Sequence, residues 1–505
     1  MKRHPHPDAS EPRAAHPAST TSTRASQAPG RRSRTRAHPA GTCGLPALAA
    51  TLLAGCAAVG PDYHAPEWHE PIPALLQMPG GAPVQAEEVA AWWEAFQDPM
   101  LTGLIRRGLA DNRTVAEARA GLREARARLR VSRSGLLPTL DANGAHTRFR
   151  ASDNAGAPGD GGLYQVGFDA QWELDIFGGR RRAVEAARAE LEAAAAAAEE
   201  VWVSLAAEIA THYVALRTDQ QRLRVALENL ALQVETAEIQ ETRFANGIGD
   251  KLAVEQSHYQ LEGTRAQIPA IQSELERLRN ALAVLVGLPP GEWGEAFDEP
   301  ASIPAVPPRA LLAVPADLLR RRPDIRAAER CLAAQTARIG EARAAQYPTF
   351  RIDGALGLES LSGGSLLTGG SRFTTLGAGI SLPIFRGGTI RATIDIQTAR
   401  QEQALARYEA TVLAAIAEWR DALMAYGQEQ SRRATLAKAS AAARAAEVIA
   451  RDQYANGLVD FNSVLDTQRA RLTFDEALAL SDGAISRNLI RAYKALGGGW
   501  AATEK

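Results

Sequence analysis

This 505-residue chain lacks long apolar runs, has few cysteines and carries no excess of charge of either sign. No stretch reaches eighteen apolar residues, which excludes a spanning α-helix and leaves a β-barrel untouched. Lysine plus arginine number 57 against 58 for aspartate plus glutamate, so nucleic acid and acidic substrates are not indicated as partners. The nine histidines are scattered, mostly near the N-terminus. With no convergent set of acids, bases or ligands, no catalytic residue and no metal site is assigned, and the chain does not read as an enzyme. Four methionines, Met1 included, offer no soft-ligand path for a metal. The three cysteines are Cys43, Cys56 and Cys331.

Residues 1–55 read as leader, not fold. The first thirty are polar and rich in Pro, Ser and His, as expected of a disordered segment or a misplaced start site. Arg31, Arg32, Arg34 and Arg36 then form a basic region ahead of a short apolar run over 45–53. The run ends in Leu53-Ala54-Gly55-Cys56, which resembles the bacterial lipobox, whose cysteine is lipidated and becomes the mature N-terminus. A chance tetrapeptide is the alternative, and its place after a basic-then-apolar segment argues against it. A covalent lipid on Cys56 is therefore expected and no other cofactor. Cys331 is left alone in the mature chain, so no intramolecular disulfide is expected, and on its Ala-rich helix it reads as a small packing residue.

What the chain has instead is alternation. Over 164–174 every even position is apolar (Tyr164, Val166, Phe168, Ala170, Trp172, Leu174) and every odd one is polar or glycine. A strand here has one apolar and one wet face. About eleven residues also suffice for a tilted strand to cross a bilayer. Alone, the segment fits a half-buried strand of a soluble sheet. Its context points to a membrane. The pattern returns at an offset of 208, with Leu376, Ala378, Ile380 and Leu382 alternating with Thr375, Gly377, Gly379 and Ser381. Each strand has an upstream partner, weak over 139–149 and clearer over 350–359. Two hairpins, about 138–176 and 348–385, give four strands, too few to close a barrel. An open edge cannot sit in lipid, so a membrane barrel must be shared between copies of the chain. The Gly-rich stretches 156–162 and 363–370 lack the lysine and Ser/Thr of a P-loop and read as hairpin loops.

Helical pattern fills the rest. One helix is expected over 101–136 and another over 317–345, each leading into a hairpin. Each hairpin is followed by a very long Ala-rich helix. The first, over 180–245, has a stripe including Leu205, Ile209, His212, Leu216, Asp219 and Leu223. His212 and Asp219 on it read as hydrogen-bonded seam residues in preference to a metal site. Asn246-Gly247 and Asn456-Gly457 end the two long helices with residues that tolerate a left-handed cap. Return helices follow, the first able to bend at Pro269. Gln453-Tyr454-Ala455-Asn456-Gly457 stands 210 residues after Arg243-Phe244-Ala245-Asn246-Gly247, and Pro348-Thr349 answers Pro138-Thr139 at the same offset. Such matches indicate internal duplication. The domains are then 56–100, an N-terminal lipidated and equatorial segment; 101–287, the first repeat; 288–315, a connector; 316–495, the second repeat; and 496–505, a tail. Roughly 67 residues make each long helix about 100 Å, and roughly 30 to 37 make the shorter ones about 45 to 55 Å. Two short helices end to end match one long helix, giving a tube flush at both ends beneath a strand barrel.

At this point the sequence resembles the TolC-like outer-membrane efflux proteins, and among them the NodT-type lipoproteins of RND pumps. The resemblance covers essentially all of 56–495. It rests on Cys56 with Val59-Gly60-Pro61-Asp62-Tyr63, on Trp92-Trp93 with Phe96 and Asp98-Pro99, and on Gly287-Leu288-Pro289-Pro290. Arg321-Arg322-Pro323-Asp324, Phe177-Gly178-Gly179-Arg180 and Pro383-Ile384-Phe385-Arg386-Gly387-Gly388 complete it. It implies a mixed α and β membrane protein: a homotrimer with a twelve-stranded outer-membrane β-barrel continued by a twelve-helix periplasmic α-barrel. It further implies a passive exit duct in the outer membrane, working with a periplasmic adaptor protein and an inner-membrane RND transporter. A duct for type I protein secretion or for heavy-metal efflux shares the fold and is the alternative.

In such a tube the turns at Asn246, Gly247, Asn456 and Gly457 lie at the periplasmic mouth, farthest from the strands. Asp250, Asp460 and Asp466 stand near them and are the aperture candidates. For Asp250 and Asp460 the plain alternative is N-terminal helix charge. Asp466 is further in, closing Val464-Leu465-Asp466, which looks like the family's aperture segment; Ser463 stands where some relatives carry another Asp.

Overall fold

The computed structural model describes residues 58–66, 89–150, 154, 161–293, 297, 299, 301–305 and 321–499. The expected lipid site Cys56, the leader before it, and residues 306–320 and 500–505 lie outside them. A 3-10 turn (Trp92–Phe96) is followed by α1 (Pro99–Asp111), α2 (Arg113–Ser134), β1 (Thr139–Phe149), β2 (Gly161–Leu174), α3 (Gly179–Ala245) and α4 (Lys251–Leu285). Then come α5 (Pro323–Ala344), β3 (Thr349–Ser360), β4 (Arg372–Ser381), α6 (Thr389–Ala455) and α7 (Phe461–Ala495). The helices α2, α3 and α4 hold 22, 67 and 35 residues, and α5, α6 and α7 hold the same numbers. Their starts, Arg113 and Pro323, Gly179 and Thr389, Lys251 and Phe461, are 210 residues apart each time.

The expectation that short helices stack end to end along a long one is met at both joints. Asn112, just before α2, donates from Nδ2 to the carbonyl of Leu285 at the end of α4 (2.9 Å). Arg322, just before α5, donates to the carbonyl of Ala495 at the end of α7 (2.8 Å). At 1.5 Å per residue α2 and α4 span about 33 and 52 Å against about 100 Å for α3. These joints lie near the middle of the long helices, and so does the core. Tyr213, Ile209 and Leu216 of α3 and Trp419, Ile416 and Val412 of α6 are buried there with Leu101 and Ile105 of α1. Trp92 stacks on Tyr493 of α7 (5.5 Å between ring centroids), tying the N-terminal turn to the last helix. Toward the sheet the packing residues shrink to alanine: Ala189 of α3 meets Ala333 and Ala334 of α5, which lets the helices approach closely.

Helix ends are closed locally. After α3 the amide of Gly247 (φ 71°) donates to Phe244 and that of Ile248 to Arg243, both 2.9 Å. After α6 the amides of Gly457 (φ 74°) and Leu458 donate to Tyr454 and Gln453 at 3.0 and 2.9 Å. Both are the paired 5→2 and 6→1 bonds that left-handed glycine permits.

The two hairpins form one antiparallel sheet in the order β1-β2-β3-β4, with β2 and β3 joined across the long excursion of α3 to α5. Register puts Leu140 beside Ala170, Phe168 beside Leu356, Trp172 beside Ile352 and Phe350 beside Ile380, all on one face. That apolar face is uncovered: Leu140 is 70% exposed, Leu356 57%, Leu376 82% and Ile380 71%. The opposite face carries Asn143 bonded to Asp169, and Gln171 donating to Asp353 (3.1 Å). Gly167 pairs with Gly357 on this polar face, where a Cβ on Gly357 would lie 2.4 Å from the Val166 carbonyl oxygen. The outer edges of β1 and β4 have no partner strand among the described residues.

Three expectations need correction. The helix expected over 101–136 is two helices, because Asn112 adopts extended geometry (φ −62°, ψ 137°) and its side-chain oxygen accepts from Thr114 and Val115, capping α2. The helix expected over 317–345 is broken at Arg322 (φ −54°, ψ 130°), between helical Arg321 and α5, because proline disfavours a helical residue before it; residues 317–320 lie outside the described ones. Cys331 is exposed in the single chain, since Leu332, Ala333 and Ala334 take the buried side of α5. α4 runs through Pro269 as one continuous helix.

Asn112 caps one helix and ties another while 6% exposed. Asn112→Ala should cost roughly 1–2 kcal/mol and lower the thermal midpoint of the detergent-solubilised protein by circular dichroism. Thr114→Ala, exposed two residues on, should not. Equal midpoints for both would overturn the joint's role.

Candidate functional site

The helix ends farthest from the sheet gather the sequence-predicted residues. The chain turns twice there, at Asn246-Gly247 and at Asn456-Gly457, and a small core fills the space behind: Phe461, Val464 and Leu465 of α7 with Ala450 of α6. Tyr454 lies 5.5 Å from Phe461 between ring centroids and carries the Arg243 guanidinium over its ring at 5.0 Å. Both tips therefore share one packed base. Beyond it, Ile248 and Leu458 project 68% and 73% exposed.

The aspartates divide into two kinds. Asp250 precedes α4 and accepts from the Leu252 amide (3.1 Å). Asp460 precedes α7 and accepts from both the amide (3.0 Å) and the hydroxyl (2.8 Å) of Ser463. Each is an N-cap, satisfying donors that the first helical turn leaves free. The Ser463 hydroxyl first, then its amide, hold the Asp460 carboxyl below the usual carboxylate range. Ser463 is thus occupied with the Asp460 carboxylate. Asp466 caps nothing. It is 74% exposed and meets Arg469 at 3.4 Å.

Arg469, which pattern reading passed over, is the hub between the two helical hairpins. It donates to Gln260 (2.8 Å) and to the Tyr259 hydroxyl of α4, with its guanidinium over that ring at 5.5 Å. Further bonds join the hairpins, Gln256 to Asn462 (3.2 Å) and Arg222 to Glu476 (2.6 Å) among them. Tyr454 donates to Gln240 (2.9 Å), Arg451 to Glu235 (2.9 Å) and Gln468 to Thr236 (2.9 Å). Within the second hairpin a buried ionic network binds α6 to α7. Asp475 receives Arg444 (3.0 Å) and Ser440 (2.5 Å), and Glu447, 1% exposed, receives Arg471 (3.1 Å). A groove of about 590 Å³ runs between α3 and α6 above the tips, lined by Ile239, Arg243, Val448 and Tyr454 among others. Nothing in a helical repeat signals which long polar side chains will cross to the other hairpin, so only the turns and the aspartates were visible beforehand. His212 meets its own helix at the Glu208 carbonyl and Asp219 pairs with Arg222 (2.9 Å).

A site of exposed carboxylates and capped turns at the end of a long helical assembly can attract cations and offer apolar tips to a partner. It holds no arrangement for bond chemistry among the described residues. The model of the outer membrane efflux protein family matches residues 104–288 and again 314–498. The antibiotic efflux pump outer membrane protein ArpC of Pseudomonas putida is 31% identical, over 90% of this chain and 95% of its own length. Nodulation protein T of Rhizobium leguminosarum bv. trifolii is 31% identical over 85% and 91%. The solved outer-membrane channel OprN superposes with a TM-score of 0.81 at 34% identity, covering 88% of this chain and 99% of its own.

Asp460 supplies a pH test of the cap. A carboxyl whose folded pKa is depressed contributes fully above its unfolded pKa and loses that contribution as pH falls through the lower folded value. Amide exchange at the start of α7 should therefore stay slow down into the acid range below the usual carboxylate pKa and then accelerate. In Asp460→Asn that acid-linked step should vanish; its persistence would assign the transition to another group.

Proposed function

The chain belongs to the outer membrane efflux protein family, and from that premise we propose that it is the outer-membrane channel of a tripartite RND efflux pump. In this reading it is a passive duct through which drugs or other small toxic compounds leave the periplasm. Members of the family are channels and not enzymes. The observation that carries the reading is the sheet: four strands with a bare apolar face, a polar face and two unpartnered edges, continuing directly into helices of about 100 Å.

Lipid accepts the apolar face but not the edges. Three copies meeting edge to edge, β4 of one beside β1 of the next, give a closed barrel of twelve strands. The same threefold arrangement surrounds a lumen with α3, α6 and the stacked short helices, twelve helical columns in all. The Gly167–Gly357 pair supports the curvature, since the backbones approach on the polar face, which becomes the inside. Matching helix lengths at one offset, and a family model that fits twice, support descent of the two halves from a duplicated unit. An acyl group on Cys56 adds an anchor in the outer membrane. The periplasmic adaptor, itself bound to the inner-membrane transporter, meets the exposed Ile248 and Leu458 tips. The antibiotic pump named among the relatives favours small-molecule export over protein secretion.

Light scattering of the detergent-solubilised protein, corrected for bound detergent and lipid, should weigh three chains. A stable monomer with its full β-signal would sink the closed barrel.

Threefold symmetry turns one inward carboxylate per chain into a ring of three that draws cations and repels anions. Asp466 is the strongest ring candidate, because its carboxylate is not committed to a helix end; Asp250 and Asp460 contribute from their caps. Asp460→Ala with Asp466→Ala should lower cation selectivity and alter conductance in planar bilayers. A double variant that conducts and selects like the parent would place the aperture elsewhere.

A further inference from the structure

Arg182 stands in the first turn of α3, 5% exposed. A buried cation is badly placed there, since the helix dipole puts partial positive charge at that end and burial strips its water. Glu185 on the same helix takes one of its nitrogens (2.8 Å). The rest of the guanidinium faces a single passing segment: it donates to the carbonyls of Ala58 (3.4 Å), Val59 (3.2 Å) and Gly60 (3.4 Å) and to the carboxylate of Asp62 (2.7 Å). The Val59 amide in turn donates to the Phe177 carbonyl (3.0 Å). Further along, the Tyr63 hydroxyl donates to Glu329 of α5 (3.0 Å), and Arg330 lies over the ring at 5.4 Å.

Shape agrees with the polar contacts. Gly60 (φ 102°) crosses Gly340 of α5 so closely that a Cβ on it would lie 2.3 Å from the Gly340 Cα. Gly178, at the entry to α3, could not carry a Cβ without meeting that of Ala58 at 2.5 Å. Small residues on both surfaces and an arginine among main-chain carbonyls make a fitted seat between α3 and α5. This accounts for Val59-Gly60-Pro61-Asp62-Tyr63, a motif that neither the duct nor its mouth requires.

We infer that the groove between α3 and α5 is the docking site of the chain's own N-terminal strap, and that Arg182 is the residue positioning the lipid anchor against the barrel. The inference rests on the proposed acylation of Cys56. Cys56 stands two positions before Ala58, a reach of about 7 Å when extended. Ala58 packs at Gly178, four residues past the end of β2 at Leu174. Acyl chains on Cys56 therefore enter the leaflet beside the periplasmic ends of the strands, and their pull is delivered to the frame of α3 and α5. An unclamped strap would leave the anchor trailing on loose chain, attached to the membrane but not to the fold.

Hydrogen exchange over 58–63 in the full chain, compared among the parent, Arg182→Ala, Asp62→Asn and Cys56→Ser, tests the seat. The parent and Cys56→Ser should protect the Val59 amide equally. Asp62→Asn, at a carboxylate 77% exposed, should lose part of that protection, up to about fivefold, and Arg182→Ala all of it. Unchanged protection in Arg182→Ala overturns the seat. Asp62 lies on the strap and off the helices, so Asp62→Asn decides alone if Arg182→Ala fails to fold, unchanged protection again overturning it. Heat resistance of the assembled protein tests the coupling. Cys56→Ser should lower the midpoint in the parent and have no further effect beside Arg182→Ala or Asp62→Asn. An equal drop in both backgrounds overturns the coupling. Mass spectrometry separates the premises: a parent without acyl mass on Cys56 removes the anchor, while the exchange results still judge the seat.

Discussion

A sheet edge cannot face hydrocarbon. Each unpaired backbone N–H or C=O left in lipid costs several kcal/mol. Along a strand such as β4, ten residues long, about half the residues aim both groups outward. Two such edges cost tens of kcal/mol, beyond the roughly 5–15 kcal/mol that separates a folded domain from its unfolded chain. The bare apolar face demands lipid, and lipid demands closure. In the proposed trimer that requirement is met by pairing between copies, and the short strand-to-helix links then set where α3 and α6 begin.

The helices below answer a different problem. Helices about 100 Å long are stabilised mainly by what they pack against, since helical propensity contributes little per residue. Two shorter columns must line each long one without a gap. The joints at Asn112 and Arg322 solve this with side-chain donors that satisfy the last carbonyls of the returning helix. The two halves do so with different chemistry. Asn112 also caps its own helix, whereas Arg322 is fixed by Asp324 (2.7 Å) and Glu418 (2.9 Å). The joint's geometry matters more than the residue that makes it. Arg321-Arg322-Pro323-Asp324 has its rationale here, as a helix start and an end-to-end splice.

Much of this was legible because it is periodic. Alternation gave the faces of the strands, three-four spacing gave the helices, and Asn-Gly pairs gave both tips within a residue. Breaks that do not disturb a period were not legible. Asn112 sits in a continuous helical pattern, and only its capping side chain, bonded to Thr114 and Val115, interrupts the run. The Arg182 seat was hidden for the same reason: its partners lie some 120 residues upstream, and an arginine in an Ala-rich helix reads as a solvated charge. At the mouth the aspartates stood out by charge, while Arg469 and Tyr454, which join the hairpins, look in sequence like any polar face of a helix.

The strengths of those contacts decide how the mouth can move. The turns are closed by backbone bonds and glycines already in left-handed geometry. Inside the second hairpin the carboxylates of Glu447 and Asp475 are almost fully buried. Arg471 beside Glu447 is largely buried too, whereas Arg444 beside Asp475 is 52% exposed. Breaking a buried pair such as Glu447–Arg471 costs about 3–5 kcal/mol. Between the hairpins the links are weaker. Near the tips Arg451–Glu235 is exposed and worth about 0.2–1 kcal/mol. The Arg469 bonds go to the neutral Gln260 and Tyr259, and Gln468–Thr236 is buried. Farther from the tips Arg222 of α3 joins Glu476 of α7 (2.6 Å), 25% and 26% exposed. Separation of α6 and α7 from α3 and α4 as intact pairs is therefore the softest motion open to the tips. A partner pressing on Ile248 and Leu458 would act along it, and the carboxylate of Asp466, bound to the hub arginine, would move with the second pair.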